Sequence, residues 1–403
     1  MEKIHIVVVG DKHCGKHTIV KKILSENEPL DPNSPAKSPK AKKTYNLKPA
    51  NLTKNIAKKE NHNDLSITTL SLHTADRKFI FIIPSGYQQL LKYTITTPTA
   101  PDVAILVIDA SKPLNSEIYH YAYLLVMFGI KKFIVAVNKM DLKKFDRIFF
   151  WEFSGEVIDL LKKQGAEIID TIPISALKGD NLKNPSTKTT WHSSPTLVEQ
   201  IKNLDKTQNP ARLPLRFLVK CRYIEKNKTK ILGLIATGKI FQGHKLTFAP
   251  THHSTKVISI EVENQHLHSA QASQYVGLYL ENTNHLHKGQ VGFNVCQPPL
   301  ITDSLNARLL WNNNETINTS DKVEVLCAYN VRRGKIKYIS KVTDPTSSKQ
   351  IKPNNQKISK LKIADVKIQL KTPICADPFD HIPQLGKFVL IKNNQIKAGG
   401  IIK

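Results

Sequence analysis

The chain has 403 residues, more than one hydrophobic core ordinarily serves, so two or three domains are expected. Its 59 Lys and Arg against 33 Asp and Glu leave a formal net charge of +26; such a field attracts nucleic acid, nucleotides, acidic proteins or anionic membrane surfaces, or simply solvates a lysine-rich exterior. No run approaches the roughly 18 apolar residues of a membrane span, Cys14, Cys221, Cys296, Cys327 and Cys375 form no CxxC pair, and MEKIHIVVVG reads as a buried strand rather than a secretory leader, so a reducing cytoplasm is the expected location.

From the start of the chain, short continuously apolar runs alternate with segments of helical spacing. IHIVVV, FIFII, DVAILVI and FIVAV are the strands of a sheet buried on both faces. EIYHYAYLLVMFG and WEFSGEVIDLLKKQG carry apolar residues at helical intervals. This pattern predicts an α/β domain over 1–205, with a mostly parallel sheet and flanking helices. Residues 25–63 interrupt it with a Lys-, Asn- and Pro-rich stretch, expected as a loop too polar to build a core. After about residue 205 helical periodicity stops, and short alternating segments punctuated by Gly, Asn, His and Pro predict two antiparallel β-barrels. The break at CQPPLITDS divides them into 206–298 and 299–403.

GDKHCGKHT, residues 10–18, has the GxxxxGK form of a phosphate loop between a strand and a helix. Gly10 and Gly15 let the backbone curl so that its amides and the helix N-terminus face phosphate oxygens, and Lys16 reaches the outer phosphates, with Cys14, His17 and Thr18 completing the loop. NKMD, residues 138–141, follows the strand FIVAV where a base-reading loop belongs. The carboxylate of Asp141 accepts two hydrogens that guanine offers and adenine lacks, while Asn138 and Lys139 tie the loop and flank the ring. Ser175, Ala176 and Leu177, following the next strand in IPISALKGDNL, supply a second base contact.

In DVAILVIDASKP, LLVMFGIKKFIVAVNKMDL, IPISALKGDNL and WHSSPTLVEQI the chain resembles the translation-factor superfamily of GTPases. Within it, the chain is most similar to the GTP-binding large subunit of bacterial sulfate adenylyltransferase. ATGKIFQGHKLTFAP resembles a second-domain barrel shared with elongation factors, and NARLLW, PICADPFD and GKFVLIKNNQIKAGGI resemble the third domain of the sulfate-activating subunit. The resemblance implies the three-domain layout of elongation factor Tu and elongation factor 1-alpha, and GTP or GDP as ligand. It also implies a magnesium ion held by the residue after the phosphate-loop lysine, by a switch threonine and by the Asp of a DxPGH motif.

Here the first of these positions is His17 and the last is Ile83 in FIFIIPSGYQQL; only Thr68 in LSITTL matches. Magnesium wants hard oxygen donors in octahedral array, so the metal is doubtful and hydrolysis is expected to be slow. Gly86 aligns with the glycine that senses the terminal phosphate, and Tyr87 replaces the water-orienting His, either as a weak catalytic group or as an aromatic plug. A protonated His17, with His13 and Lys12 nearby, is a further candidate source of positive charge in place of the metal, although these histidines read sooner as surface or packing groups.

Three functions stay open at this point. The resemblance implies a regulatory subunit whose smaller partner joins sulfate to ATP, driven by GTP hydrolysis on the large subunit. The basic charge and three-domain layout also fit an elongation-factor-like protein that binds tRNA or the ribosome. The third is a nucleotide-independent scaffold. The insert from Ala36 to Lys59 either clamps RNA or an acidic partner or is a solvated loop, with Tyr45 its sole aromatic residue. His252, His253, His266, His268, His285 and His287 read as exposed hairpin residues sooner than as a metal patch, and VRRGKIK at 331–337 as a basic hairpin.

Overall fold

A computed structural model describes residues 2–25, 67–74, 76–97, 100–206, 209–225, 228–263, 265–311, 315–344, 350–351, 356–359 and 362–403. The polar insert expected at 25–63 lies, beyond Ser25, outside the described residues. The chain divides into two compact units, the main division falling at about residues 207–208.

The first unit contains β1 (Glu2–Gly10), α1 (Lys16–Ser25), β2 (Ile67–His73), β3 (Arg77–Pro84), α2 (Tyr87–Thr96), β4 (Val103–Asp109), α3 (Ser116–Met127), β5 (Lys132–Asn138), α4 (Arg147–Lys163), β6 (Glu167–Pro173) and α5 (Leu197–Lys202). Its six strands lie in the order β2-β3-β1-β4-β5-β6. All neighbours are parallel except β2, which runs antiparallel to β3 at the sheet's edge. The apolar runs explain the arrangement: every residue of β4 is buried, as a strand with helices over both faces requires. Ile4, Ile6, Val8, Phe79, Phe81, Val107 and Ile134 pack with Ile19, Val20 and Ile23 of α1 in one core.

Helix starts follow local chemistry. Asn115 caps α3 by accepting from the backbone of Glu117 and Ile118, Asp146 caps α4, and Thr196 with Glu199 forms a reciprocal capping box at α5. In an open sheet of this kind ligands are taken at the carboxyl ends of the strands. Gly10, Asp109 and Asn138 are the last residues of three adjacent strands, Asp109 lying directly opposite Asn138.

The second unit is all β. Its strands are β7 (Arg216–Glu225), β8 (Lys228–Thr237), β9 (Lys239–Phe241), β10 (Lys245–Ala249), β11 (His253–Val262), β12 (Gln265–Leu267), β13 (Ser269–Gln271), β14 (Tyr275–Leu280), β15 (Val291–Phe293) and β16 (Leu300–Trp311). They continue with β17 (Ile317–Asn318), β18 (Lys322–Cys327), β19 (Asn330–Thr343), β20 (Gln350–Ile351), β21 (Lys357–Ile358), β22 (Lys362–Ala376), β23 (Lys387–Lys392) and β24 (Gln395–Ile402). The ring β10-β15-β7-β8-β14-β11 closes on itself through β10–β11, and the ring β18-β23-β24-β16-β22-β19 closes through β18–β19. Closure removes the sheet edges that would otherwise pair with other chains.

Each barrel has its own apolar filling, and a further cluster joins them. Leu218, Leu234, Val291 and Phe293 of the first barrel pack with Cys375, Ile382 and Leu385 of the second. Beside that cluster Arg216 grips Asp377 with two parallel bonds of 2.8 and 3.1 Å and also donates to the carbonyls of Leu215 and Gln297. Both charged side chains are buried. The six histidines singled out in the first barrel are all exposed; His253 and His285 stack with ring centroids 4.3 Å apart. No group of three or more potential metal ligands occurs among the described residues.

Candidate nucleotide site

The loop between β1 and α1 is built by two glycines in conformations other residues resist. Gly10 has φ +146°, and a Cβ there would sit 2.1 Å from the carbonyl oxygen of Val107. Gly15 has φ +100°, and its Cβ would meet Asn138 Nδ2 at 2.3 Å. His13 is also left-handed, at φ 65°. The loop turns back on itself, and a cavity of about 270 Å³ opens along His13, Gly15, Lys16, His17 and Thr18.

Lys16 is folded inward. Its ammonium donates to the carbonyl oxygens of Gly10 at 2.8 Å and Asp11 at 2.6 Å, with Cys14 Sγ at 3.7 Å. The loop's own acceptors therefore satisfy the cation that a phosphate would otherwise engage. Cys14 is buried, and that burial pushes its thiol up, which makes it a packing group and a poor nucleophile. Asp11, which the sequence reading left aside, accepts from Asn115 Nδ2 at 2.7 Å. Burial, with Glu117 nearby, raises its carboxyl above the ordinary range.

Asn138 links this loop to the two that follow. Its Nδ2 donates to the carbonyl of Cys14 at 2.7 Å and its Oδ1 accepts from the backbone of Ala176 at 2.9 Å, the side chain being only 2 % exposed. One amide thus holds the phosphate loop, the NKMD loop and the Ser175–Leu177 turn in a fixed relation. Lys139 adopts a left-handed backbone, and its ammonium reaches Asp109 Oδ2 at 2.5 Å. Burial alone would raise the Asp109 carboxyl, but the bonds from Lys139 and Ser111 hold it below its usual value. Asp109 and Ser111 were missed in the sequence; the signal lay in the position of Asp109 at the end of DVAILVI.

Asp141 stands just beyond, its carboxylate 3.8 Å from Lys178 Nζ. Ser175 is fully buried and accepts from the backbone of Lys178, whereas Leu177 is 76 % exposed at the rim. This edge thus carries a carboxylate, a lysine stem and an exposed apolar side chain, groups of the kind that can contact a planar base.

At the other end of the loop the three positions implied for a metal converge. His17 Nε2 lies 3.4 Å from Thr68 Oγ1, and Thr68 is the cross-strand partner of Ile83, which is buried. Burial, with Lys16 and Lys21 adding to it, lowers the His17 imidazole below its ordinary value, so it is neutral at pH 7. Thr68 alone of the three brings an oxygen; the imidazole of His17 and the aliphatic side chain of Ile83 do not match the donors magnesium takes. Tyr87 opens α2 with Gly86 just before it, and neither is among the residues that line the cavity. The Tyr87 ring lies 6.1 Å from that of Tyr121, and its hydroxyl is shielded from solvent with no hydrogen-bond partner among the described residues. Burial pushes that phenol up, so it offers no base at neutral pH.

Residues 1–212 match the family described as elongation factor Tu GTP binding domain, and residues 304–403 match GTP-eEF1A C-terminal domain-like. The chain is 28% identical over 336 residues to sulfate adenylyltransferase subunit 1 of Aeromonas hydrophila, covering 82% of this chain and 70% of that protein. It is 28% identical over 353 residues to elongation factor 1-alpha of Pyrococcus furiosus, covering 84% of this chain and 82% of that protein. Among solved structures, a bacterial selenocysteine-specific elongation factor, EF-Sec, superposes with a TM-score of 0.50 at 15% identity, over all of this chain and 58% of that one; this likeness bears on the fold alone. No helix among the described residues is long and apolar enough to cross a membrane.

Proposed function

The chain belongs to the family of the elongation factor Tu GTP binding domain, and from that premise we propose that it is a guanine-nucleotide-binding protein that keeps GTP or GDP without rapid hydrolysis and without depending on magnesium. The observation that carries this reading is the Asn138 bridge, which ties the phosphate loop, the NKMD loop and the Ser175–Leu177 turn to one another. Gly10, Cys14, Gly15, Lys16, His17 and Thr18 take the phosphates; Asn138, Lys139, Asp141, Ser175, Ala176 and Leu177 take the base. The donor set at His17, Thr68 and Ile83, and a Tyr87 that faces Tyr121, support slow turnover.

Sulfate adenylyltransferase subunit 1 and elongation factor 1-alpha are equally near in identity. We take the chain to be a regulatory subunit of the first kind, with an ATP-using partner that performs the sulfate chemistry. A chain that binds tRNA or the ribosome is the second reading, favoured by the net charge of +26.

Calorimetry with GTP, GDP and ATP, each with magnesium and with chelator, tests the proposal. Guanine nucleotides should bind at least a hundredfold tighter than ATP, with less than a threefold effect of chelator, and Asp141→Asn should shift preference toward xanthine nucleotide. Equal affinity for both purines, or multiple turnover of GTP within minutes, refutes it.

A further inference from the structure

Among the described residues, the sheet of the first unit ends in β2, which pairs with β3. Among the described residues, a polar tie from this strand to the phosphate loop begins at Thr68, whose hydroxyl faces the imidazole of His17 from the first turn of α1. The same hydroxyl sits opposite Ile83, whose buried aliphatic side chain brings no charge and no donor to that end of the cavity. On the loop itself, the Lys16 ammonium is already satisfied by the carbonyls of Gly10 and Asp11.

We infer that His17 is a positioning residue that ties the phosphate loop to β2 directly, through Thr68, so that β2 holds one arrangement whether the site carries a diphosphate, a triphosphate or no nucleotide. The inference rests on reading residues 10–18 as the phosphate site and deepens it: the chain is a one-state member of a family built for switching. An imidazole reaches farther from the backbone than a hydroxyl, so it closes by direct hydrogen bonding a gap that a Ser or Thr at position 17 would leave for a bridging ion. A link made of protein cannot be withdrawn by hydrolysis or by loss of an ion. A ligand with equal affinity for both forms of a switch shifts nothing, and here the second form has lost its distinguishing contact.

Hydrogen exchange of β2 in the full chain tests this, read by mass spectrometry on the segment Ile67–His73. In the unmodified protein, exchange of that segment should agree within twofold among the nucleotide-free, GDP-bound and non-hydrolysable-GTP-bound forms, with or without magnesium. His17→Ser should speed exchange about fivefold in the nucleotide-free protein, the worth of one neutral hydrogen bond. Thr68→Val should reproduce the effect, the double variant should add nothing to either, and His17→Gln, which keeps the reach and the hydrogen-bonding capacity, should restore protection. Slowing of β2 exchange by more than fivefold on adding the triphosphate analogue overturns the inference, as does unchanged exchange in both His17→Ser and Thr68→Val. Because the variant arms are read without nucleotide, a protein that bound no guanine nucleotide would sink the function proposed above while leaving the link itself to stand or fall on its own.

Discussion

Replacing Asn138 by Ala removes one side chain and two hydrogen bonds, and the structure sets what that costs. The Cys14 carbonyl loses its 2.7 Å donor and the Ala176 amide its 2.9 Å acceptor, at a position where the amide is almost wholly buried and water cannot step in. A buried polar group deprived of its partner costs about 1–3 kcal/mol, so the pair is worth roughly 3 kcal/mol or more. The three loops must then be ordered at the expense of nucleotide binding, which weakens affinity for GDP by about a hundredfold. Asn138→Asp keeps the acceptor for Ala176 but sets a carboxylate against the Cys14 carbonyl, so it should be no better. Gly15→Ala attacks the same bond from the other side, since its Cβ would stand 2.3 Å from Asn138 Nδ2. Displacement of a fluorescent GDP measures affinity, with thermal melting as the check that the variants fold. A loss under threefold in Asn138→Ala, in protein that melts normally, would refute the role given to this bridge.

Two further consequences concern stability. Gly10→Ala forces a side chain to within 2.1 Å of the Val107 carbonyl at φ +146°; overpacking and backbone strain together should cost about 3 kcal/mol, lowering the melting temperature by roughly 6–12 °C, and a shift below 2 °C would contradict the geometry. His5 is held down to about 4 by burial, with Lys206 and Lys3 adding to it. The unfolded chain binds a proton there from about pH 6.5 downward while the folded chain refuses it, so stability present above pH 6.5 is lost as the pH falls toward 4. At about 1.4 kcal/mol per pH unit, over the roughly 2.5 units between 6.5 and about 4, the loss is at most about 3.5 kcal/mol. Urea denaturation at pH 7, 5.5 and 4.5 should show the decline in the unmodified chain and a flatter one in His5→Gln; parallel curves would remove His5 from the account.

The central strands were legible because continuous branched apolar runs such as VAILVI have no other stable use in a chain of this size. The two barrels announced themselves through alternation and turn residues. β2 was harder: ITTLSLH at a sheet edge carries neither a continuous apolar run nor clean alternation, and it entered the sequence reading only through Thr68. Within the site, GxxxxGK, NKMD and SAL name the participants because their backbone demands are strict. What they do to one another is not written locally. That Lys139 is clamped by Asp109 thirty residues earlier and that His17 meets Thr68 are outcomes of strand register and of side-chain reach across long separations in sequence, while Lys16 turning onto its own loop depends on how that loop curls. The histidines of the first barrel show the converse, since their abundance in the sequence converges on no site of three or more ligands among the described residues.

The paired bonds between Arg216 and Asp377 bear on how the second unit comes apart. Removing either partner would strand a charge in a dry interior, and such an orphan costs about 3–5 kcal/mol, a large share of what holds an ordinary domain folded. Neither barrel can loosen without exposing that guanidinium or that carboxylate, along with the apolar side chains beside them. The two rings therefore share one folding fate: they melt as a single cooperative body, and a lesion in either is felt by both.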